Sequence, residues 1–153
     1  MKKYAFYINL LIISIFSINI KAAEPVLRQH LLMDYNWKFI QSDVKNAEKQ
    51  KFDDTGLSVL NLPHDWSIEG EFKEDAATNG DGGYLPAVIG WYRKHFTLSS
   101  IIKDQQYWIE FDGVYMNSDV WINGVHLGKH PNGFTGFYYD LTPHIIKGEN
   151  LLA

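Results

Sequence analysis

Asp53, Asp54, Asp65, Glu69, Glu71, Glu74 and Asp75 crowd carboxylates into one stretch of the chain. Two carboxyl groups held roughly 5 to 9.5 Å apart, one as acid and one as nucleophile or base, can cleave a glycosidic bond. These seven lie among loop formers, with no apolar period to fix a pair, so they are expected to be a solvated charge cluster; no catalytic residue is assigned. The six histidines, at positions 30, 64, 95, 126, 130 and 144, show no His-x-His or His-Glu-x-x-His spacing. With no cysteine in the chain, cysteine-containing zinc sets, disulfides and thiolate chemistry are excluded. Asn79-x-Asp81-Gly82 has a faint calcium-loop pattern, but Ala77 and Val88 occupy positions where that pattern needs oxygen ligands, so no metal is expected. Gly-x-Ser-x-Gly, phosphate-cradling and dinucleotide fingerprints are missing, which leaves acyl transfer, nucleotide hydrolysis and hydride transfer without their residues, and no cofactor is implied. The aromatics remain. Trp66, Trp91, Trp108 and Trp121 can stack on sugar rings, but a tryptophan in a strand more often packs a core. Core positions are therefore expected for all but Trp66, which follows the loop-forming Pro63.

The elements that must position these residues read as strands. Asp34-Tyr35-Asn36-Trp37-Lys38-Phe39 alternates polar and aromatic residues, the period of a half-buried strand. Ser42 to Leu57 is polar and lacks apolar spacing, as a surface loop with at most a helical turn does. Ser58 to Leu62 is a short strand stopped by Pro63, which lacks the N–H a ladder needs. Ile68 to Pro86 is an acidic, glycine-rich connection long enough to suggest function. Trp91 to Leu98 places Tyr92, Phe96 and Leu98 on one face and Arg93, His95 and Thr97 on the other. Tyr107 to Phe111 repeats the alternation, with Tyr107, Ile109 and Phe111 inward. Asp119 to Ile122, Asn123-Gly124 and Val125 to Leu127 form a hairpin, because Asn-Gly readily adopts the positive φ angles of a two-residue turn. Pro131-Asn132-Gly133 is a further turn before a strand at Phe137 to Leu141, and Thr142-Pro143 to Gly148 predicts one helical turn. Asn150 to Ala153 begins another strand with no closing segment after it. The whole predicts an all-β, jelly-roll or galactose-binding-domain-like β-sandwich, truncated before its last strand or strands.

The chain has 153 residues, 46% of them hydrophobic and 15% aromatic, enough to pack one core. Lys2 and Lys3, the apolar stretch Ala5 to Ile20 and the small residues Ala22 and Ala23 have the layout of an export signal. A membrane anchor is the poorer reading, since Asn9, Ser14, Ser17 and Asn19 interrupt a stretch shorter than the roughly 20 residues a span requires. The expected organisation is a signal over 1–22, a leader over 23–33 and one domain over 34–153, exported to the periplasm or beyond, with no membrane span after cleavage. Without residues 1–22, 11 basic and 18 acidic residues remain, a formal charge of −7. That field repels phosphate backbones, so no nucleic-acid partner is expected.

Four blocks carry a family resemblance: Leu62-Pro63-His64-Asp65-Trp66-Ser67-Ile68; Gly82-Gly83-Tyr84-Leu85-Pro86 with Gly90-Trp91-Tyr92-Arg93-Lys94; Phe111 to Ser118 with Val120-Trp121-Ile122-Asn123-Gly124; and Gly133-Phe134-Thr135 to Asp140-Leu141-Thr142-Pro143. In this order they resemble the N-terminal sugar-binding domain of family 2 glycoside hydrolases of the β-galactosidase type. Ala87-Val88 departs from the pattern where relatives tend to have glycines. The resemblance implies a jelly roll followed in such enzymes by an immunoglobulin-like domain and a barrel that holds both catalytic glutamates. These domains are the implied partners, and a glycan or β-galactoside the implied ligand. It implies too that a polar residue after the Pro-x-x-Trp block touches galactose, at Asn79 or Asp81, with Trp66 as a stacking candidate. The alternative from another class is a stand-alone secreted carbohydrate-binding module with an exposed aromatic platform; a third is a non-functional remnant.

Overall fold

A computed structural model describes residues 28–76, 83–85 and 88–153. Residues 1–22, read as an export signal, lie outside them, as do Asn79, Asp81 and Gly82. Eight strands follow one another among the described residues: β1 Trp37–Ile40, β2 Ser58–Leu60, β3 Trp91–Leu98, β4 Trp108–Phe111, β5 Ser118–Ile122, β6 Val125–His130, β7 Phe137–Asp140 and β8 Gly148–Leu152. The one helical element among the described residues is a 3-10 turn at Trp66–Glu69. No helix among the described residues is long and apolar enough to cross a membrane.

Pairing is antiparallel throughout, in a six-stranded sheet of order β2-β1-β3-β8-β5-β6 and a two-stranded sheet of β4 and β7. The inner faces supply one apolar cluster. Trp37, Val120, Ile122 and Leu152 come from the large sheet, Ile109 from the small one, and Leu141 and Ile145 from the connection after β7. This is the β-sandwich that the alternating pattern predicts, and β3 occupies the span read from sequence. Removing a core side chain such as that of Leu152, which is 1% exposed, would cost about 2–5 kcal/mol.

β8 is the seam of the large sheet. It runs against β3 from Lys94↔Leu152 to Leu98↔Gly148 and meets β5 at Ile122↔Leu152, with Trp121 and Ala153 exchanging both backbone hydrogen bonds. The Asn123-Gly124 turn between β5 and β6, with φ of 52° and 84°, has the positive angles that its sequence predicts. It is also bound to β8. Asn123 Oδ1 accepts from Leu151 N at 2.9 Å, and Asn123 Nδ2 donates to Asn150 Oδ1 at 2.8 Å. Fully buried Asn150 uses the rest of its amide on Ile146 N, Ile146 O and Gly148 O, so no polar atom of it is stranded. These bonds also explain a departure from the expected helical turn. Only His144 and Ile145 bond back to Leu141, and Asn150 takes Ile146 out of the helical ladder.

The outer face of the large sheet corrects a second reading. Arg93 belongs to the polar side of β3 by alternation, yet it is wholly buried. The polar segment between β1 and β2, read as a solvated loop, folds over it: Arg93 donates to Ala47 O, to Lys49 O at 3.1 Å and, through Nε, to Asp54 Oδ2 at 2.8 Å, under the ring of Phe52. A guanidinium paired with a carboxylate and bonded to two carbonyls can stay inside where a bare cation could not, although its Nη2 finds no partner among the described residues.

Candidate functional site

The Leu62–Trp66 block leaves β2 through a cis Leu62-Pro63 bond and is bound back to the chain near β1, with Leu62 N donating to Asp34 O at 2.7 Å. Asp65 caps the 3-10 turn. Its Oδ1 accepts from Ser67 N at 3.0 Å and Ser67 Oγ at 2.6 Å, and these bonds hold its carboxyl below the usual carboxylate range. His64 is aimed by two partners: Nδ1 lies 2.8 Å from the Tyr92 hydroxyl and Nε2 3.2 Å from Glu69 Oε1. Burial, with Asp65 and Glu69 nearby, pushes the Tyr92 phenol up to about 12. It therefore stays protonated; because the Glu69 carboxylate can only accept, Nε2 is the nitrogen that donates to it, and a neutral ring then accepts from the phenol at Nδ1. Phe39 packs against both rings, with centroids 4.9 Å from His64 and 4.7 Å from Tyr92.

These side chains form the wall of an open cleft of about 420 Å³ beside β1 and β2. Among the described residues its lining includes the imidazole of His64, the ring of Phe39, Gln41, residues 56–60 and a single carboxylate, Glu69. Such a surface can hold a hydroxyl-rich molecule. Among the described residues no second carboxylate joins Glu69 there to make an acid and nucleophile pair across a glycosidic bond. The other acids of the crowded stretch are engaged or fully outward: Asp53 accepts from Thr55, Asp54 holds Arg93 and His95, Asp65 caps its turn, and Glu71, Glu74 and Asp75 face solvent. No cluster of three histidine or acidic side chains among the described residues is placed to hold a metal.

Trp66 stands half-buried beside this cleft, close over Gly90. A Cβ on Gly90 would lie 3.0 Å from Phe39 Cε2 and 3.3 Å from Trp66 Nε1, so the glycine makes room for both rings. Asn79 and Asp81, the other two residues implied for sugar contact, lie outside the described residues. The remaining tryptophans divide. Trp91 and Trp121, also expected in the core, lie outside its apolar cluster and pack against each other half-buried, with centroids 5.1 Å apart. Trp108 departs from its expected core position: it is 50% exposed, on the side of β4 opposite Ile109, where no further layer among the described residues covers it.

Sequence reasoning also missed His64, Tyr92 and Glu69 as a set. The only signal in the chain was the proximity of His64 to Pro63, and Tyr92 joins them through the β1 to β3 pairing.

Residues 33–153 match the family described as "Glycosyl hydrolases family 2, sugar binding domain". The chain belongs to this family. Among relatives of the family 2 domain, a β-galactosidase of Bacteroides ovatus is 47% identical over 123 residues, 78% of this chain and 14% of that protein. A putative β-glucuronidase of Formosa agariphila is 44% identical over 118 residues, 77% of this chain and 11% of that protein. The crystal structure of a β-glycosidase from Bacteroides vulgatus superposes with a TM-score of 0.74 at 48% identity, covering 78% of this chain and 16% of that one. The family 2 domain described here thus spans about one seventh of the length of such relatives, which are larger proteins.

Proposed function

We propose that this chain is the sugar-binding, non-catalytic domain of an exported family 2 glycosidase that hydrolyses O-glycosyl bonds, with β-galactosides as the leading substrate class. The match across residues 33–153 carries the reading. The lone carboxylate of the cleft supports it, since the acid and the nucleophile must then come from an accompanying barrel, reached through an immunoglobulin-like domain. In this role the domain buttresses that barrel and lends it one side of the sugar site, with Trp66, Asn79 and Asp81 toward the galactose. Export rests on the basic and apolar pattern of residues 1–22.

A β-glucuronide is the second reading, favoured by the 44% identity to a putative β-glucuronidase. Both readings are tested by assaying the 153-residue chain on chromogenic β-galactoside and β-glucuronide, then repeating the assay on the protein encoded when the reading frame is followed past Ala153. The expected result is no release by the chain alone and release by the longer protein, the preferred glycoside deciding between the two. Turnover by the chain alone, lost when one of its own carboxylates is replaced, would overturn the proposal. Asn79→Ala and Asp81→Ala should raise KM in the longer protein, and the N-terminus of the exported product should begin at Ala23 or Glu24.

A further inference from the structure

The outer face of the β4–β7 sheet carries four side chains by register: Trp108 opposite Asp140, and Glu110 opposite Tyr138. Trp108 is 50% and Tyr138 67% exposed, and their rings stand 5.5 Å apart at 69°, edge to face. Two large aromatic surfaces left in water are costly to keep there. Both are held in place, because Ile109 and Tyr139, the alternate positions of the same strands, face the core.

From this geometry we infer a second carbohydrate-binding surface, separate from the cleft at His64 and Glu69, that takes a neutral glycan chain. The two rings form a corner whose open faces accept the C–H side of a pyranose. Glu110 has no hydrogen-bond or ion-pair partner among the described residues, and Asp140 spends one oxygen, Oδ1, on Thr142 N at 2.8 Å. As ionised carboxylates both can only accept, and the hydroxyls of a sugar are donors. The four positions include no cation. A uronic-acid polymer or a nucleic acid is therefore repelled by the same pair of charges that suits uncharged hexoses. This surface goes beyond the proposed role in a glycosidase and does not depend on which glycoside is cleaved.

Affinity electrophoresis of the 153-residue chain through gels containing galactomannan, xyloglucan or polygalacturonate tests the inference. At least one neutral polymer should retard the chain and polygalacturonate should not. Trp108→Ala and Tyr138→Ala should each weaken retardation by about tenfold, and Glu110→Gln by less, with Tm unchanged because these side chains stand outside the core. His64→Ala, in the other cleft, should leave retardation intact. Three results would overturn the inference: no retardation by either neutral polymer, retardation indifferent to Trp108→Ala and Tyr138→Ala, or a concentration-dependent dimer in sedimentation that Trp108→Ala abolishes, which would make the face a protein contact. None of these results bears on catalysis by the longer protein, so the two proposals fail separately.

Discussion

Tyr92 and Arg93 are neighbours on β3, yet they serve opposite faces of the large sheet by opposite means. Tyr92 works on the inner side, where a neutral phenol, an imidazole and Phe39 fix the wall of the cleft. Arg93 works on the outer side, where a buried cation gathers Asp54, two carbonyls and, through Asp54, His95 and Glu149. The cleft side relies on ring packing and tautomer choice. The outer side, where the segment between β1 and β2 lies over Arg93 as a strap, relies on charge, and a charge out of water is stabilising only while its partners remain.

The comparison predicts that the strap breaks hardest. Arg93→Met leaves Asp54 facing apolar surface and should cost about 3–5 kcal/mol in urea unfolding, the range seen when one partner of a buried pair is removed. A loss under about 1 kcal/mol would mean that the strap is held by packing alone. Asp54→Asn should cost less, about 1–3 kcal/mol, since the amide can still accept from Arg93 Nε.

The two sides should also fail at opposite ends of the pH scale. Burial raises the Asp54 carboxyl, but hydrogen bonds from Arg93 and His95, with their charges, outweigh it and leave the pKa below the ordinary value. A depressed folded pKa gives stability that is complete above the unfolded value, about 3.9, and lost as pH falls through the folded one. Stability measured below about pH 4 should fall more gently in Asp54→Asn than in the unaltered chain. Tyr92 has the reverse sign. Its folded pKa of about 12 lies above the unfolded one, so its contribution is whole below about pH 10 and lost as pH rises toward 12. Absorbance titration should show a late phenolic step that Tyr92→Phe removes while the raised Tyr139 remains, at a stability cost of about 0.5–1.5 kcal/mol for the lost bond to His64. Smallest of all, Glu69→Gln should change stability by less than about 0.5 kcal/mol, since a side chain so exposed pairs weakly with His64.

Local patterns were legible in the sequence, and what depends on distant segments was not. The alternation of Trp91 to Leu98, the Asn123-Gly124 turn and the apolar positions of β4 and β5 are set by neighbours in the chain, and each predicts its element. Arg93 was misplaced because alternation says which side of a strand a residue takes, not what will cover that side. The cover comes from Ala47, Lys49 and Asp54, far away in a segment whose polarity suggests solvent. Trp108 fails in the opposite sense: its strand is real, but only one face of a two-stranded sheet has a core to meet. The structural duties of the acids in the crowded stretch, capping a turn and anchoring the strap, follow from tertiary geometry that spacing does not encode.

The position of β8 bears on how the molecule is made. A ribosome delivers β1, β3 and β5 long before Gly148 to Leu152, so the six strands cannot assemble in the order of synthesis. Until that last segment arrives the nascent chain holds two unjoined groups of strands with bare edges, the condition in which stray partners or a chaperone would find it. Joining the two halves of the large sheet rests on contacts that span some fifty residues, as the β3–β8 register requires.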